Sequence, residues 1–396
     1  MIYLRWFSFA RGPRDPRSRS RSRSRAPNRP ASPAAALRCQ MAPPAPFVPT
    51  QFAKGLTRHM CRWRRGFDGS THPMFRTWED GVYPAFRDFA GQVARTDRVK
   101  FHSHAAAVTS SQMFAFNLFL PFRAAAEGAV PHGPATRALT PLSRTISGVL
   151  GADFRVERIA FEWVPPGALL GEIAGDKPVG KEKATGVDVV LWGHLPADAP
   201  AVILLEVKLG EGGFTPCKGK ISSANTRPDV CASARTFLSD PTACYLQRPK
   251  HAVRDRRYWE IFARQYGSVA AAFPHTDADG VCPFAGDNQQ PMRNFALARA
   301  LEQAGVVSRA WFGLCPHDDN PDIPPRWAAW QSLLGAPAQA PVIPASSIIM
   351  AGREAGYDDW ARWMEVRYCF VPPPHAAAGT SAGANPRHGA PSPGQR

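Results

Sequence analysis

The chain has 396 residues, of which 44% are hydrophobic and 10% aromatic, so it can bury a sizeable core as one large domain or two ordinary ones. Of its formal net charge of +16, residues 1–40 supply +9 through ten Arg and one Asp, and the stretch from 373 supplies +2. The remaining +5 describes a mildly basic body, compatible with a phosphate-bearing partner. No run of about 18 apolar residues exists, so no membrane span is expected.

Both ends of the chain are low in sequence complexity. "RGPRDPRSRSRSRSRAPNRPASPAAA" has too few apolar residues to pack, so we predict a disordered arm over 1–40. This arm either binds nucleic acid or lies outside the native protein, with translation starting near Met41 or Met60. "MIYLRWFSFA" is too short for a secretory signal and is followed too soon by Arg. A second disordered tail is predicted over 373–396.

Between these ends, we predict an N-terminal helical extension over 41–89 and a larger domain over 90–372. Ser110 and Ser111 precede "QMFAFNLFLPF", which indicates a helix start, with Pro121 near the end of the helix. "DFRVERIAFEWV" then alternates like a strand. The following "PPGALLGEIAGDKPVGKEKATG" is rich in Gly, Pro and charge, which indicates a loop.

Two apolar strands follow, "VDVVLWG" and "AVILLEVKLG", joined by "HLPADAP". Because the connection is short, the pair is expected to form an antiparallel hairpin. Downstream, "RDRRYWEIFARQYGSVAAAF" and "NQQPMRNFALARALEQAGV" have helical periodicity, and "SRAWFGLCPHD" has the pattern of a later strand. The predicted order is therefore helix, three strands, helix, strand and helix, which is typical of an α/β fold.

Three charged residues interrupt the most apolar part of the hairpin: Asp188, Glu206 and Lys208. Glu206 and Lys208 are two apart on a strand and so must point to the same face. Burying neighbouring carboxylates is costly unless a positive charge lies between them. A hard cation such as Mg²⁺, chelated by Asp188 and Glu206, would remove that cost. The alternative is an edge hairpin whose polar face meets water, with an ordinary ion pair worth less than about 1 kcal/mol.

The chain resembles the PD-(D/E)xK nuclease superfamily in the order of its elements. A helix and a strand are followed by a strand that begins with an acid, and the strand after that carries E-x-K. "VD" stands here in place of "PD". Four stretches are together similar to a bacterial group of restriction endonuclease-like proteins of this superfamily, over about residues 95–320. They are "FHSHAAAVTSSQMFAFNLF", "EVKLGEGGFTPC", "CPFAGDNQQPMRN" and the "RYWE" helix. The resemblance implies a restriction endonuclease-like core, in which helices flank a central mixed sheet built in the order helix, three strands, helix, strand.

The same resemblance implies roles for individual residues. Asp188 and Glu206 would be ligands of Mg²⁺ or Mn²⁺, and Lys208 the catalytic lysine that orients the attacking water and stabilises the transition state. The superfamily often adds a further acid, for which Glu162 in "IAFEWV" and Glu172 in "LLGE" are candidates. We prefer Glu162 because its strand lies beside the hairpin. A solvent-facing position on an alternating strand is the other interpretation of Glu162.

Four cysteines follow the E-x-K strand in turn-like contexts: Cys217, Cys231, Cys244 and Cys282. Some nucleases of the superfamily hold an iron–sulfur cluster through four Cys, so the resemblance makes such a cluster, or Zn²⁺, a candidate cofactor. Buried free thiols are the alternative, because the spacing contains no C-x-x-C pair. His102 and His104 in "HSH" precede a helix without a third ligand, so we interpret them as hydrogen-bonding groups at its entry.

Five polar residues are candidates for nucleic-acid contact: Arg254, Arg256, Arg257, Gln289 and Arg293. The first three form a basic cluster beside aromatic residues, which suits contact with a nucleic-acid backbone. The other two lie on or before a late helix and could meet a phosphate. Solvated helix faces are the alternative in both places. No helix-turn-helix or zinc-finger signature, Gly-rich phosphate loop, G-x-S-x-G or H-E-x-x-H motif is present.

These observations predict a Mg²⁺-dependent nuclease that hydrolyses phosphodiester bonds, with DNA as the expected nucleic-acid partner. The alternative is a non-catalytic nucleic-acid-binding or assembly protein that retains the fold. Eight Cys without a secretory signal favour a reducing cytoplasm. An enzyme that cuts both strands needs two active sites, which a homodimer would provide.

Overall fold

The computed structural model describes residues 50–129, 135–174, 177–178, 184–247 and 255–370. The arm predicted over 1–40 and the tail predicted over 373–396 lie outside the described residues. Among the helices of the described ranges, none combines the length and apolar composition needed to cross a bilayer.

The helices and strands are numbered in chain order. The helices are α1 Gln51–Asp68, α2 Arg87–Thr96, α3 Ser111–Ala126, α4 Ala135–Leu150, α5 Gly167–Leu170, α6 Lys218–Ile221, α7 Pro228–Ala232, α8 Ala234–Ser239, α9 Tyr258–Tyr266, α10 Val269–Ala272, α11 Gln289–Gln303, α12 Ile323–Gln331, α13 Ala345–Glu354 and α14 Asp358–Tyr368. The strands are β1 Arg155–Trp163, β2 Ile173–Ala174, β3 Lys177–Pro178, β4 Val187–Leu195, β5 Ala199–Lys208 and β6 Arg309–Pro316.

A four-stranded mixed sheet in the order β1-β4-β5-β6 is the centre of the fold. The β1–β4 and β4–β5 pairs are antiparallel, and the β5–β6 pair is parallel. The predicted α/β class, with a central mixed sheet flanked by helices, is confirmed, and so is the predicted hairpin. Parallel pairing requires a long crossover, and the chain between β5 and β6 supplies it through α6 to α11. Strands β2 and β3 form a separate two-stranded ladder within the predicted loop.

Helix α3 starts where the sequence predicts and continues further than expected. The Ser110 hydroxyl caps it by accepting a hydrogen bond from the N–H of Met113 at 3.2 Å. Pro121 lies inside the helix, which continues to Ala126, so its predicted place near the helix end is wrong. The reason is tertiary packing, because every residue of α3 from Gln112 to Ala125 is buried. The stability gained from this packing outweighs the loss of the backbone hydrogen bond that Pro121 removes.

The two faces of the sheet are covered by two separate hydrophobic clusters. One cluster contains Val189 and Leu205 and is completed by residues of α3, α13 and α14. The other contains Val190 and Leu204 and is completed by residues of α9, α11 and α12. Strands β4 and β5 are therefore buried on both faces, which explains their nearly continuous apolar sequences. The first cluster also includes Leu56 of α1, from the described part of the predicted extension.

Candidate active site

The acids of the hairpin lie together at one end of the β4–β5 ladder. That ladder ends with Val189 opposite Leu205, so Asp188 and Glu206 are the next residues on the two strands. The N–H of Val207 donates to Oδ2 of Asp188 at 2.8 Å, which ties the Asp188 side chain to the neighbouring strand. The alternative of a water-exposed edge hairpin is wrong, because β4 and β5 are the central strands and Glu206 is only 1% exposed.

Lys208 and Glu206 point to the same face and form a buried ion pair. Nζ of Lys208 is 2.7 Å from Oε1 of Glu206, and the Lys208 ammonium lies 5.4 Å from the centre of the Phe214 ring. Burial disfavours a charged lysine, but Glu206, and after it Glu211 and Asp188, raise the pKa of Lys208 above its usual value. Lys208 is therefore a cation at neutral pH rather than a proton acceptor.

Glu162 lies beside the hairpin acids at the end of β1. Its neighbour Trp163 pairs with Val187, the residue before Asp188. Glu162 has a φ of 47°, which is a left-handed backbone conformation. Such a conformation costs about 1–3 kcal/mol and persists only where the surrounding structure maintains it. Burial raises its pKa to about 7; a hydrogen bond with Gln112 opposes that rise, and the charge of Glu206 adds to it.

The pKa of Asp188 is raised as well. Burial raises its pKa well above the usual value, the charges of Glu206 and Glu162 add to the rise, and Lys208 opposes it. The three carboxylates on three neighbouring strands therefore interact with one another. The interpretation of Glu162 as a fully solvent-facing position does not hold, because this residue is partly buried and the charge of Glu206 acts on its carboxyl group.

Glu172, the second candidate for the further acid, lies in a different environment. It is 3% exposed, and its carboxylate accepts hydrogen bonds from the N–H and hydroxyl of Thr185 at 2.6 and 2.8 Å, and from the hydroxyl of Tyr258. Nη2 of Arg293 lies 2.7 Å from its Oε1. Burial alone would raise the pKa of Glu172, but Arg293 and these hydrogen bonds lower it. Glu172 and Arg293 therefore form a satisfied buried ion pair.

The candidates for nucleic-acid contact are dispersed. Arg254 lies outside the described residues. Arg256 and Gln289 need correction, because they are only 1% and 2% exposed and cannot reach a phosphate in this structure. The Arg293 guanidinium binds Glu172 as described above. Arg257 has a 37% exposed side chain, paired with a glutamate one helical turn away, and it keeps a surface position.

The predicted histidines lie at the entry to α3. The N–H of His104 donates to Nδ1 of His102 at 3.0 Å, and Nε2 of His102 lies 3.4 Å from the hydroxyl of Ser110. The N–H of His102 donates to Oε1 of Gln112 at 3.2 Å. These contacts agree with the interpretation of the pair as hydrogen-bonding groups at a helix start.

Sequence reasoning missed two polar side chains on α11 that contact the site. Nε2 of Gln290 donates to Oε1 of Glu206 at 2.7 Å, and Nδ2 of Asn294 donates to Oε2 at 3.2 Å. Both amides lie on one face of α11 because they are four residues apart. Gln289, the residue named from the sequence, is one position away and lies on another face. The helical period through "NQQPMRN" groups Gln289 with Arg293 and Gln290 with Asn294 equally well, so only the packing of α11 against the sheet identifies the pair that contacts Glu206.

The site contains more carboxyl groups than cationic groups. Glu162, Asp188, Glu206 and Glu211 all interact with one another or with the single ammonium of Lys208. These carboxyl groups form an all-oxygen donor set, which suits a hard divalent cation such as Mg²⁺ or Mn²⁺. A bound cation would replace the protons that the raised pKa values of Glu162 and Asp188 retain. Within the described ranges, no three Asp, Glu, His or Cys side chains already have ligand geometry, so binding a cation here requires side-chain rotation.

The elevated pKa of Glu162 predicts a pH-dependent stability. The folded protein retains a proton on this carboxyl up to about pH 7, whereas the unfolded chain releases it near pH 4.5, so raising the pH between these values destabilises the fold. Without divalent cations, we expect the free energy of unfolding to fall between about pH 5 and 8 by on the order of 2 kcal/mol more in the parent than in Glu162→Gln. Denaturant titrations measure the difference.

A matched control lies just before the same strand. Asp153 is an exposed acid two residues before β1, so Asp153→Asn should keep the pH dependence of the parent. Added Mg²⁺ should reduce the loss in the parent, because a bound cation replaces the proton. Identical pH profiles of the parent and Glu162→Gln would contradict a raised pKa at this carboxyl.

The mixed sheet, with two acids and a lysine on its central hairpin, defines a restriction endonuclease-like α/β protein. The family model described as "Restriction Endonuclease associating with ARP" matches residues 71–339, and the chain belongs to this family. The match includes the whole sheet and every residue of the site. Searches of the curated proteins and of the solved structures found no match.

Proposed function

We propose that the protein is a metal-dependent endonuclease of the PD-(D/E)xK type that hydrolyses phosphodiester bonds in DNA. One observation carries the proposal: Asp188, Glu206 and Lys208 meet in a buried site beside Glu162, with more carboxylates than cations. Membership of a restriction endonuclease family supports a nuclease acting on nucleic acid. A buried structural ion pair would not need the additional acids, whose mutual repulsion costs stability.

In this proposal, Asp188, Glu206 and Glu162 hold Mg²⁺ or Mn²⁺. The bound ion supplies Lewis acid chemistry at the phosphate. Lys208 contributes a permanent positive charge, because its pKa is raised. Its ammonium donates hydrogen bonds that orient the attacking water and stabilise the negative charge developing on the phosphate.

The α11 amides have a positioning role. Gln290 and Asn294 each donate to a different oxygen of Glu206, which fixes the plane of that carboxylate. Lys208 also binds Oε1 of Glu206, so three donors converge on one side chain. A carboxylate held in this way keeps its ligand geometry without losing conformational entropy on binding.

The direct test is cleavage of supercoiled plasmid and of single-stranded DNA, with Mg²⁺, with Mn²⁺ and with a chelator. We expect cleavage only with the cations, and a loss of at least about a hundredfold in Asp188→Asn. Asp153→Asn, at an exposed acid outside the site, is the matched control and should cleave like the parent. Cleavage that survives chelation, or that proceeds at the parent rate in Asp188→Asn, would overturn the proposal.

The same assay separates the alternative function. A non-catalytic nucleic-acid-binding or assembly protein would bind the DNA in a gel-shift experiment and leave it intact with every cation.

We propose that the enzyme acts in the cytoplasm and that two copies act together on duplex DNA, because cutting both strands requires two sites. Sedimentation of the protein with and without duplex measures that association.

A further inference from the structure

A short basic segment borders the acidic site, between the end of α2 and the start of α3. We call residues 98–104 the basic loop; its basic side chains are Arg98, Lys100, His102 and His104, and all four are exposed. The apolar residues between them, Val99 and Phe101, pack instead against the hydrophobic cluster on the α3 side of the sheet. The nuclease proposal uses none of these side chains.

Two polar side chains hold the basic loop against β1 beside Glu162. Oδ2 of Asp97, the residue before the loop, accepts a hydrogen bond from the N–H of Phe161 at 3.2 Å. Nε2 of Gln112 donates to the carbonyl of Lys100 at 3.3 Å, and the same side chain forms a hydrogen bond with the Glu162 carboxyl group. Because Phe161 directly precedes Glu162, both attachments of the loop lie at the acidic site.

Aromatic packing fixes the middle of the loop. The ring of Phe101 stacks on the ring of Trp78 with their centroids 4.2 Å apart, and it lies 5.7 Å from the ring of Phe116 in α3. A loop whose backbone is already ordered loses little conformational entropy when its exposed side chains bind a ligand.

Arg98 has a backbone conformation that favours glycine. It follows α2 with a φ of 54°, and the helix ends in a Schellman motif: the N–H of Val99 donates to the carbonyl of Ala94 at 2.9 Å, and the N–H of Arg98 donates to that of Arg95 at 3.3 Å. Glycine is usual at this position because it has no Cβ atom. An arginine here is unfavourable for the fold, which indicates a use for its side chain other than stability.

The cations of Arg98 and Lys100 are available to a ligand. In the part of the chain that the structure describes, neither forms an ion pair, and the neighbouring acid Asp97 is paired with Arg123 instead. A phosphate-bearing strand that approaches an acid-rich site meets ionised carboxylates, which repel it. Fixed cations beside Glu162 would offset that repulsion.

We propose that Arg98 and Lys100 bind backbone phosphates of the DNA substrate and hold the strand beside Glu162. The role rests on the proposed nuclease function, because the strand held here is the substrate of that enzyme. Both are positioning residues, since they contact phosphates of the strand and not the reacting atoms. Phosphate contacts carry no sequence information, so the basic loop should strengthen the binding of different DNA sequences about equally.

The salt dependence of DNA binding tests the proposal. Fluorescence anisotropy of a labelled duplex, measured with a chelator at several NaCl concentrations, gives the affinity without cleavage. The double variant Arg98→Gln/Lys100→Gln should bind at least about tenfold more weakly at low salt. The slope of the logarithm of affinity against the logarithm of salt concentration should fall in magnitude by about two, because each lost phosphate contact removes about one.

Cleavage kinetics separate binding from chemistry. In single-turnover experiments with Mg²⁺, the double variant should need more enzyme to reach its half-maximal rate. Its rate at saturating enzyme should stay within about twofold of the parent rate, because the phosphate contacts are equal in the bound substrate and in the transition state.

A double variant of equal charge is the matched control. Arg264→Gln/Arg309→Gln also removes two exposed cations, one on α9 and one at the start of β6, where β6 is farthest from Lys208. This control should keep the affinity and the salt slope of the parent.

Two single variants separate the loss of a cation from damage to the fold. Arg98→Gly fits the left-handed conformation, so it should melt at the parent temperature or above and still reduce the salt slope by about one. Arg98→Lys keeps the charge and should keep the slope.

Two results would overturn the proposal: a double variant of the basic loop with the affinity and salt slope of the parent, or a parent protein that does not bind the duplex. A parent protein whose binding depends on the basic loop, but which leaves DNA intact with every cation, supports the phosphate contacts and contradicts the nuclease proposal. The two failures are therefore distinguishable.

Discussion

Replacing Lys208 by Met should reduce DNA cleavage by at least about a thousandfold at saturating Mg²⁺. Met keeps much of the length of the side chain and its apolar contact with Phe214, and it removes only the ammonium. That ammonium is the cation closest to Glu206, at 2.7 Å, and it would be the donor that stabilises charge on the phosphate. Single-turnover cleavage of a labelled duplex measures the loss.

Two further variants make the result specific. Lys54→Met changes an exposed lysine of α1 and should cleave like the parent. Lys208→Arg keeps the charge but replaces a compact ammonium by a planar guanidinium, so its rate should lie between those of Lys208→Met and the parent. The melting temperature of each variant should be measured together with its cleavage rate, because removing Lys208 also leaves the buried Glu206 carboxylate with less positive charge near it. A Lys208→Met protein that is folded and cleaves as fast as the parent would contradict the proposed mechanism.

Arg293→Leu should destabilise the protein by about 3–5 kcal/mol, because it leaves the Glu172 carboxylate buried without its cation. The Glu172 side chain is 3% exposed and Nη2 of Arg293 lies 2.7 Å from it, so water cannot replace the lost partner easily. Urea denaturation measures the change in the free energy of unfolding. Arg264→Leu, at an exposed position of α9, is the control and should change that energy by less than about 0.5 kcal/mol.

A compensating change and a pH series test the origin of the effect. Adding Glu172→Gln to Arg293→Leu should recover part of the loss, because it removes the uncompensated charge. The pKa of Glu172 is lowered in the folded protein, so the stability from this pair is present above pH 4.5 and is lost as the pH falls below it. If Arg293→Leu unfolds like Arg264→Leu, the pair does not stabilise the fold.

Local sequence patterns were sufficient to predict the strands around the site and the hairpin between two of them. Alternation predicted β1, and the short connection between two apolar runs predicted the β4–β5 hairpin. The period of two residues in a strand then required Glu206 and Lys208 to share a face, as their ion pair shows. These inferences succeed because they depend on residues that are close in sequence.

Other features depended on contacts between distant segments. Gln290 and Asn294 reach Glu206 only because the crossover places α11 against the sheet, more than eighty residues after β5 begins. Arg256 looks like part of a basic surface in sequence, yet packing buries it. No local pattern contains this information, because a charged side chain has the same sequence signature whether it is solvated or enclosed.

The sequence by itself determined the α/β class, the hairpin and the grouping of Asp188, Glu206 and Lys208, because strand periodicity and short connections leave few alternatives. Only the tertiary structure shows that Glu162 and Glu172 have different surroundings, because two identical carboxyl groups differ solely in their partners. Glu162 lies among like charges, and Glu172 lies against Arg293.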